Sequence, residues 1–589
     1  QSTNIGQTRD NRPYMPTLTW HPAGGIWTAA AGLGHSHARA ILRGFDRGFF
    51  NTVSAQRTGV TVSFADIFYL RPNRITVTDA AGAAVDPHRI DTYAITSTAG
   101  NYVRNSDQQR TAYAHAQRAF GRALPITLKG GLDVRQSQRD LSARNQPFTF
   151  ASPAAPFLDE EVSRRIPPYG FPATQWISNH EVWQAYRQTP ARFVANEDAD
   201  YRSTVSGSKF IEETVSSAYL RGDMQLLDRR LRLVGGLRAE QTNVEGQGPL
   251  TDATRNFRRD AAGRPILGAN NRPLTIATAP LEISRLTFIS RGAQTEKEYL
   301  RLFPSLNANW TARENLIVRA AVYESVGRPD LNQYAGGITL PDTSAAPGPA
   351  NRITVNNAGI KAWSARTTSV RVEHYFEGVG SVSVGAFRRH IENFFGAIVR
   401  PATPDFLALY GLDDATYGGF DVATQENLTE GVRMEGLDFG YKQALTFLPP
   451  WARGVQVFAN ASAQRALGDV RGNFAGYIPR SASWGVSLAR ERYNLRANWS
   501  YRSRSRRNAV AVGPGVEPGT FNWASQRLSY DLDAEYRLSR RFALFANLRN
   551  VGDATDDTEL AGPNTPPAAQ FRSRLDNGSL WTFGVKGSF

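Results

Sequence analysis

The sequence predicts an all-β fold, a large antiparallel transmembrane β-barrel, from three observations. Apolar and polar residues alternate along many segments, as on strands with one apolar and one wet face. These segments form hairpins whose short turns fall on one side and whose long connections fall on the other, the asymmetry of outer-membrane barrels. The chain also ends in an aromatic strand, where Trp581, Phe583, Val585 and Phe589 share one face. We expect that face to serve membrane contact and assembly, and the last strand to close against the first.

Eight hairpins and the final strand make seventeen predicted strands. Short periplasmic turns and long extracellular loops would separate them. The predicted hairpins pair 14–20 with 27–37, 111–120 with 126–135, 218–226 with 231–239, 300–310 with 316–323, 370–376 with 382–387, 432–447 with 455–461, 484–488 with 495–501, and 528–538 with 542–548.

The hairpin at 528–548 shows the pattern most clearly. Leu528, Tyr530 and Leu532 alternate with Asp531 and Asp533. A helix would spread these carboxylates around its circumference, whereas a strand places them on one wet face. Such a row can do acid/base work, but on a barrel wall we expect it to line water and pair with basic residues on neighbouring strands.

Composition narrows the class of protein. No run of 18 or more apolar residues occurs, which excludes membrane-spanning helices, and cysteine is absent. The net charge is +15, and all but six of the 68 basic residues are arginine. Arginine suits contact with anionic headgroups or an anionic solute, although codon bias would give the same excess. The charge is spread along the chain apart from one dense arginine run at 502–507, so nucleic-acid binding is poorly supported.

Six short passages occur in a fixed order before the aromatic C-terminal strand. Together they make the chain resemble the TonB-dependent outer-membrane receptors, in particular the Caulobacter-type branch. The passages are LFPSLN at 302–307, RAAVY at 319–323, VGRPD at 326–330, YFEGVG at 375–380, EGLDF at 435–439 and NLRNVGD at 547–553.

The resemblance implies a barrel of about 22 strands with a plug in its lumen, and a TonB box that contacts the energy-coupling complex. We therefore expect residues 1–589 to form the barrel portion, with the plug and about five first strands outside this chain. The stretch NNAGIKAW at 356–363 departs from the Asn-Pro-x-Leu-Lys-Pro-like sequence usual in the family. We expect the rim to differ at that loop.

The long connection at 157–193 carries the candidate substrate-binding residues. They are Trp176, Trp183, Tyr186 and Arg187, and the spacing of Trp183 and Tyr186 places both on one face of a helical turn. Aromatic side chains on a loop can stack on sugar rings or flat chelators. Alternatively, they fold the loop onto itself or mark the headgroup boundary. Arg328, beside Pro329, is expected to hold the chain where it leaves its strand rather than to touch solute.

The sequence carries none of the common catalytic motifs. The chain has no Gly-rich phosphate loop, no HExxH helix and no GxSxG elbow. His35 and His37 share a strand face but have no evident third ligand. We therefore expect no catalytic residue, no metal site, no cofactor and no enzymatic activity.

The resemblance implies a receptor in the Gram-negative outer membrane that binds a scarce or bulky solute at extracellular loops and imports it with TonB-coupled energy. Its expected partners are the TonB complex, outer-membrane lipid and lipopolysaccharide, the barrel-assembly machinery and a small solute such as an oligosaccharide or siderophore. The Caulobacter-type branch favours carbohydrate. A passive channel, a membrane-embedded hydrolase and a soluble all-β binding module are the alternatives.

Overall fold

The structure is a computed structural model that describes most of the chain. The described residues are 2–5, 8–22, 24–121, 125–356, 360–376, 379–427, 431–450, 452–468, 476–513 and 515–587.

Seventeen long strands of the described chain form one antiparallel ladder in which each strand pairs with the next along the sequence. All eight predicted hairpins and the final strand are present in this ladder, and short strands of the loops extend the same sheet. The strands are β1 (Thr8–Tyr14 and Thr17–Trp20, in two parts), β2 (Trp27–Arg43), β3 (Ala94–Phe120), β4 (Ile126–Pro153), β5 (Lys209–Leu226), β6 (Leu231–Asp252), β7 (Phe288–Arg313), β8 (Leu316–Gly327), β9 (Trp363–Phe376), β10 (Gly380–Glu392), β11 (Val432–Ala444), β12 (Val455–Leu467), β13 (Arg480–Ala489), β14 (Tyr493–Arg502), β15 (Arg527–Arg537), β16 (Phe542–Arg549) and β17 (Leu580–Gly587).

The two faces of the ladder differ in polarity because the residues alternate with period two. One face, here the apolar face, exposes large apolar side chains across its middle: Leu220 is 61% exposed, Leu306 55% and Leu437 61%. The opposite face, here the charged face, carries ion pairs such as that between Arg319 and Glu373. Exposing an apolar band of this size to water is unfavourable, whereas contact of the band with lipid is favourable.

The turns at one end of the ladder are short, and the connections at the other end are long. Between β5 and β6 the chain reverses through Leu227, Asp228 and Arg229, all with positive φ. The eight long connections, here loops 1 to 8 in chain order, span 43–94, 153–209, 252–288, 327–363, 392–432, 467–480, 502–527 and 549–580. We refer to this side as the loop end.

Short strands and helices also form in the loops, and one short strand precedes β1. None of the helices in the described chain is long and apolar enough to cross a membrane. The short strands are Ser2–Ile5, Thr52–Gln56, Val60–Ile67, Pro72–Asp79, Leu158–Asp159, Trp176–Ile177, Val194–Ala195, Ile338–Leu340, Ile353–Val355, Phe395–Pro401, Asp421–Asn427, Ser505–Ala509, Phe521–Ala524, Asp556–Ala561 and Phe571–Leu575. The α-helices are α1 (Glu160–Ser163), α2 (Asn179–Gln188), α3 (Glu197–Ser206), α4 (Pro280–Thr287), α5 (Leu331–Tyr334), α6 (Pro404–Ala408) and α7 (Asp414–Tyr417). The 3-10 turns are Phe45–Arg47, Ile90–Thr92, Ala155–Phe157, Pro190–Arg192, Ala253–Asn256 and Pro567–Ala569.

Several strands extend further toward the loops than the sequence pattern predicts. The predicted segments 111–120 and 126–135 are parts of β3 and β4, which continue to Ala94 and Pro153. Above the apolar band both faces of these strands are polar, and Arg139 there donates to Asp107 over 2.8 Å. Period two disappears where neither face meets an apolar phase, so the pattern could not show this stretch. Alternation returns at the upper end of β4, where Phe148 and Phe150 are buried against the loops.

The two larger apolar cores of the described chain lie at the loop end, and a third, smaller one joins Ala365, Ile391 and Val432 of β9 to β11. The larger core joins loops 1 and 2 to the upper ends of β3 and β4, and it includes Phe50, Val53, Phe148, Phe150 and Phe193. A second core, under loops 4 and 5, is centred on Ile353, Leu407 and Val422. Packing among the loops therefore gives the loop end a defined structure.

The ladder ends at β1 on one side and β17 on the other. Among the described residues no pairing joins these two strands, so closure of the last strand against the first stays a prediction. On β17, Trp581 is 59% exposed, Phe583 66% and Val585 64%, all on the apolar face. Phe589 lies outside the described residues.

Candidate functional site

Helix α2 places the predicted aromatic residues of loop 2. It begins after Ser178, whose hydroxyl accepts a hydrogen bond from the Glu181 backbone N–H, as an N-cap residue does. Asn179 is buried and donates from Nδ2 to the Phe50 carbonyl over 2.8 Å. The helix is thereby fixed against loop 1, and the predicted helical turn at Trp183 and Tyr186 is confirmed.

Both aromatic side chains of α2 contact protein. The Trp183 Nε1–H donates to the Phe45 carbonyl over 2.8 Å. The Tyr186 ring lies 5.2 Å from the ring of Phe45 and 5.3 Å from that of Phe193, edge-on to each. These contacts stabilise the loop, which is the alternative role considered for the two residues.

Of the remaining two candidate residues, Arg187 lies in the last turn of α2 and Trp176 precedes the helix. Arg187 is exposed, and its guanidinium lies 5.4 Å from the centre of the Trp183 ring, a cation–π distance. Trp176 is half-buried in the short strand Trp176–Ile177, where its backbone N–H donates to Ser163 Oγ over 2.9 Å. The exposed groups around α2 could meet a ligand, and binding by the four predicted residues stays a prediction.

The charged face of β4 to β6 carries ion pairs at successive positions from the short turns toward the loop end. Near the short turn, Arg232 Nε donates to Asp223 over 2.9 Å. Further toward the loops, Arg238 Nη2 lies 3.3 Å from Asp133 Oδ1, and Arg238 Nε donates to Glu240 over 2.6 Å. The arrangement is a polar track along the wall, which suits contact with water or polar solute.

The track ends at Arg328, immediately after β8. Its Nη2 donates to Glu240 Oε2 over 2.6 Å, and its Nε lies 3.7 Å from Glu213 Oε2. All three side chains are at most 20% exposed. Tyr334 of α5 packs close by, and burial raises its pKa. Arg328 therefore ties the chain leaving β8 to β5 and β6, as its position in the sequence suggests.

Loops 7 and 8 form a four-stranded sheet that the sequence analysis missed. Arg504 Nε donates to Glu559 over 2.7 Å. Arg574 donates to both carboxylate oxygens of Asp557, over 2.6 Å each, and this interaction lowers the pKa of that carboxyl. A signal was present, because alternate residues of the arginine run at 502–507 share a strand face and could pair with the acidic alternation at 556–559.

The row of carboxylates at 531–535 also takes part in contacts on the charged face. Glu535 is paired with Lys586 of β17, and Asp531 accepts a hydrogen bond of 2.8 Å from the Asn550 backbone N–H. The described chain contains no group of three or more His, Asp or Glu residues that could hold a metal ion. His37, one of the two histidines considered as ligands, instead lies 3.1 Å from the hydroxyl of Ser106.

Comparison with known proteins agrees with this architecture. The family model "TonB dependent receptor-like, beta-barrel" matches residues 35–551. The ferric-catecholate import receptor Fiu of E. coli K12 resembles the chain in its closed form with a TM-score of 0.55 and 12% identity, over 98% of this chain and 64% of that one. Its open form gives a TM-score of 0.51 and 11% identity, over 98% of this chain and 62% of that one. At these identities the likeness shows the fold, and the chain spans less than two thirds of the length of these receptors.

No curated protein matches the sequence. The chain belongs to the TonB-dependent receptor-like β-barrel family.

Proposed function

We propose that this protein is an active-transport receptor of the Gram-negative outer membrane. It binds a scarce or bulky solute at the loop end and imports it with TonB-coupled energy. The observation that carries the proposal is the contrast between the two faces of the ladder, with Leu306 exposed on one and the Arg328–Glu240 pair on the other. An apolar band around a charged lumen suits passage of polar solute through lipid.

The solute is proposed to bind where loops 1 and 2 meet. Helix α2 is held there by the aromatic core, so Trp183 and Tyr186 form a rigid support for the exposed Arg187. Trp176 lies in the short strand that precedes the helix. Preorganised support of this kind lowers the entropic cost of binding. A receptor of similar fold imports ferric catecholates, so an iron chelate is one candidate solute. The resemblance to the Caulobacter-type branch makes an oligosaccharide the other.

The proposed mechanism is recognition followed by gating, without covalent chemistry. A plug would lie against the charged face, where groups such as Arg232 and Arg238 can bind its polar surface. Movement of the plug, driven by the TonB complex, would then open a path along the polar track. The further proposed partners are the barrel-assembly machinery, outer-membrane lipid and lipopolysaccharide.

Uptake measured in cells with and without a functional TonB complex tests the proposal. Labelled iron chelates and oligosaccharides would be offered at concentrations so low that diffusion through porins gives no measurable uptake. We expect accumulation of one solute class that requires both this protein and TonB. Uptake that requires the protein but proceeds equally without TonB would instead support the passive channel.

A further inference from the structure

A cluster of arginines lies on the apolar face of the ladder, toward the loop end. Arg388 of β10, Glu435 of β11 and Arg465 of β12 stand directly opposite one another on adjacent strands. Their orientation follows from the alternation along β11. Leu437, two residues beyond Glu435, is 61% exposed, whereas Met434, which precedes Glu435 and lies on the opposite face, is 4% exposed.

Three guanidinium groups share the single carboxylate of this cluster. Glu435 lies 2.9 Å from Arg388 Nη2, 3.2 Å from Arg433 Nε and 3.3 Å from Arg465 Nη2. The Glu435 side chain is 20% exposed, whereas Arg388 is 65% and Arg465 71% exposed. One carboxylate cannot use all the donors of three guanidinium groups, so N–H groups remain available on the outer side.

The cluster lies at the upper margin of the apolar band. The next row toward the short turns consists of Val370, Ala386, Leu437 and Ala463, which are paired across four strands. Arg388 comes eight residues after Gly380, where β10 leaves its short turn. At about 3.3 Å per residue and a tilt of about 40°, that distance is about 20 Å along the membrane normal. The apolar band of such barrels is about 25 Å tall, so the backbone at Arg388 lies about 5 Å below its upper margin. The long arginine side chains span that distance and place their guanidinium groups at the outer headgroup level.

One open groove of about 720 Å³ is lined by Arg388, Glu435 and Arg465 together with the apolar row, and Arg480 of β13 also borders it. Arg433 lies next to the groove through its contact with Glu435. The groove offers cationic donors above and apolar side chains below. This order matches a lipid molecule that stands in the outer leaflet, with its headgroup above and its acyl chains below. Guanidinium groups bind phosphate in bidentate fashion, so phosphate is the headgroup chemistry that fits.

We propose that Arg388, Arg433 and Arg465 bind the phosphate groups of an outer-leaflet lipid, whose acyl chains lie on Val370 and Leu437. The proposal rests on the outer-membrane location proposed above and adds a lipid site to it. Glu435 holds the three guanidinium groups in place and competes with phosphate for their donors.

Native mass spectrometry of the detergent-solubilised protein with added diphosphorylated lipid A tests the site. The variant carrying Arg388→Gln, Arg433→Gln and Arg465→Gln is expected to bind this lipid about tenfold more weakly, because charge-assisted hydrogen bonds are lost. The matched control carries Arg229→Gln, Arg230→Gln and Arg541→Gln, three exposed arginines of the short turns, and should bind as the wild type does. Glu435→Gln removes the competing carboxylate and should tighten binding about threefold.

The outcomes separate this site from its alternatives. Equal binding of lipid A without phosphates, equal loss in the control, or weaker binding in Glu435→Gln would each overturn the proposal. Full competition by inorganic phosphate at the same concentration would show a site for free anions instead. If the arginine variant fails to fold, the lipid comparison and Glu435→Gln still decide the question. Absence of the wild-type protein from outer-membrane fractions would contradict the proposed function. If the wild type is present there but the triple arginine variant binds lipid A as tightly as the wild type does, the result would contradict this site alone.

Discussion

The Tyr69 hydroxyl donates a hydrogen bond of 2.9 Å to Glu559 Oε1, although 490 residues of chain separate the two. Tyr69 lies in loop 1, beside the first strands of the ladder, and Glu559 lies in loop 8, beside the last strands. Ser525 of loop 7 donates to the same carboxylate oxygen over 2.8 Å. The loops of the first and last strands therefore meet at the loop end, as loops covering the mouth of a barrel would.

Tyr69→Phe tests this junction. Loss of the hydroxyl removes one hydrogen bond to a largely buried carboxylate, which should cost about 1 kcal/mol of loop docking. Hydrogen exchange of the hairpin Val60–Ile67 with Pro72–Asp79 should become faster, while exchange in β13 to β16 stays unchanged. Tyr102→Phe, at an exposed tyrosine of β3, serves as the control. Unchanged exchange in the hairpin would show that the junction does not hold loop 1.

The pair of Asp557 and Arg574 should make the loop sheet sensitive to acid. The guanidinium lowers the pKa of Asp557 below its usual 3.8. A carboxyl group whose pKa is lower in the folded state stabilises that state above the unfolded pKa, and the benefit is lost as pH falls through the folded pKa. Protease resistance of loops 7 and 8 should therefore be constant above about pH 5 and fall below about pH 4.

Asp557→Asn removes the titrating group of that pair. The variant should lose about 2 kcal/mol of loop-sheet stability at pH 7, since Arg574 then lacks its bidentate partner. Its remaining stability should depend less on pH between 4 and 3 than that of the wild type, as limited proteolysis would measure. An equal acid response in both proteins would assign the response to other groups.

Arg328→Gln should destabilise the ladder beside loop 4. The substitution leaves Glu240 and Glu213 close together without their shared cation, at a cost of about 3 kcal/mol. Urea unfolding in detergent would measure the loss, and the added substitution Glu240→Gln should recover part of it. Arg229→Gln in an exposed short turn is the control and should have little effect. A loss no larger than that of the control would mean that the ion pairs contribute little.

Gly584→Val should impair assembly of the last hairpin. On β17, a Cβ at Gly584 would lie 2.6 Å from Phe545 Cε1, so the ring must move. The amount of folded protein in outer-membrane fractions should fall severalfold. Gly130→Ala, where the nearest atoms lie 3.7 Å from the added Cβ, should be tolerated. Equal amounts of the two variants would show that the Phe545 ring has room to shift.

The sequence predicted the ladder better than the loops, for a physical reason. Where β15 and β16 meet two different media, the sides of Leu528 and Asp531 must differ, and period two records that difference. The loop strand at Asp557 also alternates, but its buried side carries Asp557 and Glu559, so no apolar period marks it as a strand. Its partners come from distant segments and are selected by charge pairing. Likewise, the spacing of Trp183 and Tyr186 predicted a helical turn, but their burial depends on Phe45 and Phe193, which no local pattern identifies.

The proposed transport function requires the apolar face of the ladder to contact lipid, and nitroxide labelling tests this contact most directly. The chain has no cysteine, so single cysteines can be placed at 437, 438 and 439 on β11 and labelled in liposomes. We expect relaxation by lipid-soluble oxygen at 437 and 439, and by a water-soluble nickel complex at 438. Labels at 437 and 439 that are shielded from oxygen, or that meet the nickel complex as readily as the label at 438, would show that this face does not contact lipid.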